Sequence, residues 1–178
     1  MLLLYQTIIL VNWCACVIVS YKLVQGELSF KFAAAHFVLG ETGCERLHGH
    51  NYLVEVQIYG EQDPAKNLVI DFLLLKPFVR EFVEALDHRI ILPQNNPKLE
   101  IKSEGNEFHL LFTPKQKKYI FPKSDVVLLP IENTTVEEFA RYLAEQLAPL
   151  FQTYPNINII EVGVFEYKGQ GCWKRITR

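Results

Sequence analysis

Cysteine, excess charge of either sign and low-complexity sequence are all scarce in this chain. Its four cysteines (Cys14, Cys16, Cys44 and Cys172) are spread over 178 residues, which excludes a disulfide framework and leads to the expectation of a reducing, cytoplasmic setting. The formal net charge is only −2, which argues against a nucleic-acid binder that works through a broad basic surface. Charged residues make up 21% and apolar residues 49%, so neither a disordered chain nor a coiled coil is the main element. No internal repeat, linker or second domain is visible. The length suits one domain with a substantial core.

Charge is also missing from Met1 to Tyr21. A membrane-spanning helix needs about 20 apolar residues. Here the stretch from Val17-Ile18-Val19 to Val24 is rich in β-branched residues and runs into Gln25-Gly26, as a strand and turn would. What remains is about 16 residues, short for a span. A secretory leader would start with basic residues, and Lys22 is the first cation. Residues 1–16 are therefore expected to be an apolar extension or start-site artefact, without a membrane role, and 17–178 a single domain.

Period-two patterning predicts strands over Glu27–Val38 and His48–Tyr59, with a short one over Asn67–Asp71. Helical spacing predicts Leu73–Leu86, with Phe78, Phe82, Val83 and Leu86 inward, and Val136–Leu147, with Phe139, Leu143 and Leu147 inward. The second helix opens on overlapping capping boxes, Thr134 with Glu137 and Thr135 with Glu138. Between the helices, Lys98–Leu129 reads as a β-hairpin, with a further strand at Lys117–Phe121, and Ile157–Tyr167 is a last strand. Strands carrying two helices point to an α+β domain on an antiparallel sheet.

The histidines concentrate the chemistry. His48 and His50 are two apart on a strand and share the apolar face of Tyr52, Val54, Val56 and Ile58. His36 closes the face Phe30, Phe32 and Ala34 of the preceding strand. Three imidazoles from the core sides of neighbouring strands can supply the three protein ligands of a catalytic zinc, with a fourth position open. Cys44, four residues before His48, is either a further ligand or a thiolate activated by its neighbours. Asp87-His88 follows the first helix directly, and Glu166 ends the buried row Ile160, Val162 and Val164, where a carboxylate needs donors from protein or ligand. His109 lacks such context and is read as structural.

Taken in order, several segments resemble the 6-pyruvoyltetrahydropterin synthase / 6-carboxytetrahydropterin synthase family. They are Phe32-Ala33-Ala34-Ala35-His36, Cys44-Glu45-Arg46-Leu47-His48-Gly49-His50-Asn51-Tyr52, Val69-Ile70-Asp71-Phe72, Leu86-Asp87-His88, Thr135-Val136-Glu137 and Val162-Gly163-Val164-Phe165-Glu166. The resemblance implies a four-stranded antiparallel sheet with two helices on one face. It implies three subunits closing a barrel, and two trimers forming a homohexamer. It implies Zn2+ on His36, His48 and His50. Cys44, Asp87 and His88 would be catalytic, and Glu166 would grip the pterin edge with Glu137 as a second contact.

The gap from Cys44 to His48 resembles the carboxy-forming, queuosine-pathway branch. The implied reaction turns 7,8-dihydroneopterin triphosphate into 6-carboxy-5,6,7,8-tetrahydropterin, with loss of acetaldehyde and triphosphate. The alternatives are the pyruvoyl-forming reaction, a metal-dependent hydrolase and a non-catalytic zinc- and pterin-binding protein. Arg46, Arg89 and Lys76 are candidate cations for the triphosphate. Two departures stand out: a hairpin inserted at about residues 94–130, and Glu166-Tyr167 where the family has Glu-Thr.

Overall fold

The structure, a computed structural model, describes residues 20–25, 30–40 and 45–178. Expectations for residues 1–16 and for Cys44 therefore lie outside the described residues. Ten strands run β1 (Tyr21–Gln25), β2 (Lys31–His36), β3 (His48–Gly60), β4 (Arg89–Pro93), β5 (Leu99–Glu104), β6 (Glu107–Phe112), β7 (Lys117–Pro122), β8 (Val126–Leu129), β9 (Ile157–Tyr167) and β10 (Gln170–Thr177). Three helices join them: α1 (Phe72–Leu86), α2 (Val136–Leu147) and the short α3 (Leu150–Thr153).

The main sheet corrects the four-stranded antiparallel expectation. Seven strands take part, in the order β10-β9-β3-β2-β4-β8, with β1 also on β3. β3 is long enough to pair with β2 over His48–Leu53 and with β1 over Val56–Gly60 along its length. The sheet is mixed, because β4 runs parallel to both β2 and β8. Short strands just before the insertion (β4) and at its end (β8), and the terminal β10, widen the sheet. Patterning alone pointed to the last strand but not to β10, whose residues alternate without a buried face: six of its eight are exposed.

Period two holds along β3, where Tyr52, Val54, Val56 and Ile58 are fully buried and Gly49 and Asn51 are exposed. Both helices cover that face. α1 buries Leu75, Val79, Val83 and Leu86, with Phe82 packed beside them. Val83 and Leu86 lie inward as expected, whereas Phe78 is 56% exposed and its place is taken by Leu75 and Val79. Its start is fixed by Asp71, whose carboxylate accepts from the Leu73 amide at 2.8 Å. α2 buries Phe139, Ala140, Leu143, Ala144 and Leu147 against the same core. Of its two possible caps, Thr135 takes the helix start, while the Thr134 hydroxyl donates to the Phe37 carbonyl at 2.8 Å. The predicted strand over Asn67–Asp71 is a turn with one isolated bridge, Asp63 to Leu68.

The insertion is a three-stranded antiparallel sheet, β5-β6-β7, in which the further strand expected at Lys117–Phe121 pairs with the second strand of the hairpin. A two-stranded hairpin has little independent stability in water, and this one has its own core. Leu99, Leu110 and Phe112 pack with Phe37 and Leu39, which follow β2, and with Leu92 of β4. His109 lies on β6 beside Glu107 and Glu104, at 3.1 and 3.8 Å.

Candidate metal centre

β2 and β3 pair antiparallel with His36 opposite His48 and Ala34 opposite His50. That register places three imidazoles on the helix side of two adjacent strands. A ligand nitrogen from each lies within 4.8 Å of the other two. Gly49 between the paired histidines allows the close approach, since a Cβ there would sit 3.0 Å from the Ala34 carbonyl oxygen.

The hydrogen bonds select the ring nitrogen that faces inward. His36 Nδ1–H donates to the Thr134 carbonyl and His48 Nδ1–H to the Arg46 carbonyl, each at 2.7 Å. A carbonyl can only accept, so the neutral rings carry their lone pairs on Nε2. His36 Nε2 is buried without a partner, and an orphaned buried acceptor calls for an explanation. Burial, only partly opposed by the Thr134 carbonyl and aided by the neighbouring His48 and His50, lowers the His36 pKa to about 4. The ring is therefore neutral near pH 7, the form that binds a metal. Three clustered imidazole nitrogens fit a divalent ion of borderline softness such as Zn²⁺.

Glu166, near the end of β9, reaches the rim of this cluster. Its carboxylate oxygens lie 3.8 Å from His36 Nε2 and 4.0 Å from His50 Nε2. Tyr52 lies under the cluster, its ring 5.7 Å from that of His50 and 5.5 Å from Phe139. Burial, reinforced by the Glu166 charge, keeps the Tyr52 hydroxyl protonated far above its ordinary range. A cleft of about 650 Å³ opens beside Glu166, lined by His50, Asn51, Phe165, Tyr167 and Lys168 among others. That volume suits a bicyclic ligand with a short side chain.

Asp87 and His88 form a separate unit at the junction of α1 and β4. The Asp87 carboxylate accepts from the Ala33 amide at 2.7 Å, and lies 2.9 Å from His88 Nδ1. The Ala33 amide, opposed by burial and assisted by His88, holds the Asp87 carboxyl below its ordinary pKa. His88 takes φ 57, a left-handed conformation that is uncommon outside glycine, and its side chain is largely exposed. His88, Arg89 and His50 line one open cleft of about 520 Å³ with Asp125 and the Ala33–Ala35 backbone. Arg46 is exposed and Lys76 half-buried on α1, neither lining that cleft. Glu137 is exposed on the first turn of α2. It faces Cys172 of β10, whose thiol burial and then the Glu137 charge push upward.

A profile for 6-pyruvoyl tetrahydropterin synthase matches residues 26–176. The chain belongs to that family. A Methanocaldococcus jannaschii protein named as a putative 6-carboxy-5,6,7,8-tetrahydropterin synthase is 39% identical over 148 residues, 82% of this chain and 90% of that one. The Plasmodium falciparum 6-pyruvoyl tetrahydropterin synthase structure superposes with a TM-score of 0.81 at 30% identity, covering 89% of this chain and 99% of that one. A Plasmodium vivax 6-pyruvoyltetrahydropterin synthase, 32% identical with the same TM-score and coverage, was solved with a catalytic glutamate replaced by alanine.

Glu45 is a buried carboxylate beside the cluster's second strand that sequence reasoning passed over. It is 9% exposed, among the few buried charged residues described. One carboxylate oxygen pairs with Lys115 while the other is buried without a partner. The only sequence signal is its position beside Cys44; its partner lies 70 residues away in the insertion.

Proposed function

We propose that the protein converts 7,8-dihydroneopterin triphosphate to 6-carboxy-5,6,7,8-tetrahydropterin, releasing acetaldehyde and triphosphate, as in a queuosine-type pathway. The observation that carries this reading is the inward-facing cluster His36, His48 and His50 with Glu166 at its rim. His36, His48 and His50 would hold a zinc ion, which would supply Lewis acidity toward the substrate's side-chain hydroxyls. Glu166 accepts from the guanidine-like edge of the pterin, with Glu137 as the second contact. Cys44 removes a side-chain proton, and His88, oriented by Asp87, returns one. Arg89, in the cleft with His88 and His50, is the cation placed best for phosphate. Because Asp87 and His88 face outward from one chain, the full site is completed between subunits of a homohexamer. The setting is cytoplasmic. Among the described residues no helix is long and apolar enough to cross a membrane.

Two observations support the carboxy-forming branch: the name of the 39% identical relative and the four-residue step from Cys44 to His48. The pyruvoyl-forming reaction is the alternative, favoured by the names of the two Plasmodium structures. Glu45 adds a second reading of the base. It is a buried carboxylate next to Cys44, and a relative of this fold uses a catalytic glutamate. Incubation of the zinc-loaded protein with dihydroneopterin triphosphate decides the branch. Acetaldehyde together with the carboxypterin is expected; a pyruvoyl product without acetaldehyde would replace this reading by the alternative.

Glu166 makes a narrower test. Replacing a charged hydrogen-bond partner of the pterin, Glu166→Gln is expected to weaken substrate binding by about 1.5–3 kcal/mol, with zinc content unchanged. Its closeness to the histidines gives the experiment a second edge. Loss of zinc with substrate affinity retained would make Glu166 a metal-site carboxylate instead.

A further inference from the structure

The inserted sheet touches the chain on both sides of the segment that leads into the metal centre. On the entry side, Tyr119 of β7 stacks on Phe37, the residue after His36, with ring centroids 5.3 Å apart and planes 11° apart. On the exit side, Lys115, in the turn between β6 and β7, pairs with the buried Glu45 carboxylate. Lys117 Nζ donates to the Glu45 carbonyl at 3.1 Å and lies over the Tyr119 ring, 4.9 Å from its centroid. The residue after Glu45 is Arg46, whose carbonyl accepts from His48 Nδ1. A continuous path thus runs from two lysines through Glu45 and the Arg46 carbonyl to a metal-facing imidazole.

We propose that Lys115 and Lys117 are positioning residues for His48, and that the insertion braces the metal centre by holding the Glu45–Arg46 backbone. This rests on reading the three histidines as the metal site. The bonds are suited to the task. Glu45 is desolvated, so its pairing with Lys115 is less screened than a surface pair, and Lys117 fixes the main chain itself rather than a mobile side chain. Outer partners that orient ligating histidines govern both ring direction and basicity. Without the lysines, the Arg46 carbonyl loses its anchor and His48 is free to turn its Nε2 away.

The test is zinc affinity by competition with a chromophoric chelator, on the full chain, for wild type, Lys115→Met, Lys117→Met, the double variant and Lys115→Arg. The double variant is expected to bind zinc about 10-fold more weakly, the lower end of the range for outer-partner loss. Each single variant should fall between, and Lys115→Arg should stay near wild type because it keeps the charge. Equal zinc affinity in wild type and in folded lysine variants overturns the proposal. Amide hydrogen exchange at Arg46, Leu47 and His48 in the metal-free protein is the second measurement. Faster exchange confined to those amides in Lys117→Met supports the brace; unchanged exchange refutes it. If the wild type itself binds no zinc, the metal reading fails, and the exchange result still judges the brace by itself.

Discussion

Protein carrying both His36→Ala and His48→Ala is expected to purify without zinc, while wild type carries about one ion per chain. Two of three ligands are then gone, and the affinity loss should exceed the roughly 10–100-fold that follows loss of one outer partner. The fold should survive. His36 and His48 lie at the end of β2 and the start of β3, away from the helix-covered row Val54, Val56 and Ile58. Removing the His36 ring also removes a buried polar nitrogen that the metal-free fold leaves unpartnered. Elemental analysis against protein concentration, with circular dichroism to confirm folding, is the measurement. Full zinc occupancy in the double variant would remove the metal centre from the account, and the proposed reaction with it.

The second large effect belongs to Cys44. Two roles are open to it, ligand or base, and they predict different variants. As a ligand, its loss should weaken zinc binding, because one of the positions around the ion is vacated. As a base beside an already complete three-histidine set, its loss should spare zinc and pterin binding. Turnover should then fall by about 10²–10⁴-fold, the range for a positioned proton acceptor. The second outcome is expected for Cys44→Ala, read as release of triphosphate and acetaldehyde alongside zinc content. Near wild-type turnover would end the role of the thiol. Glu45 would then be the base to examine, since it adjoins Cys44 and has an unpartnered buried oxygen. Turnover abolished only when Glu45→Gln is added would assign the proton transfer to the carboxylate.

The histidine cluster was legible because strand periodicity is strict. His48, His50 and Tyr52 must share a face, and His36 falls in phase with Phe32 and Ala34. The bounds of α2 and β9 were legible for similar reasons, since strong periodicity and a capping threonine mark them. Other features depend on partners distant in sequence. On α1 the expected Val83 and Leu86 are inward, but Leu75 and Val79, rather than Phe78, meet the sheet in its first half. β4 and β8 joined the main sheet in parallel, a pairing that neither strand's own pattern specifies. Glu45 has an ordinary loop setting until Lys115 arrives from the insertion. The Asp87–His88 pair was visible as a dipeptide. Its left-handed turn and its anchor on the Ala33 amide were not, because both arise from β2 packing beside the end of α1.

Two of the three inward imidazoles are aimed by main-chain carbonyls, those of Thr134 and Arg46. No codon change deletes a carbonyl. In a saturation scan, His36 and His48 should therefore stand out as intolerant columns, while the exposed Arg46, whose side chain takes no part in aiming the ring, should accept most replacements. The orienting carbonyls are thus shielded from direct deletion, and drift can reach them only through substitutions that move the backbone, as at Lys115 and Lys117.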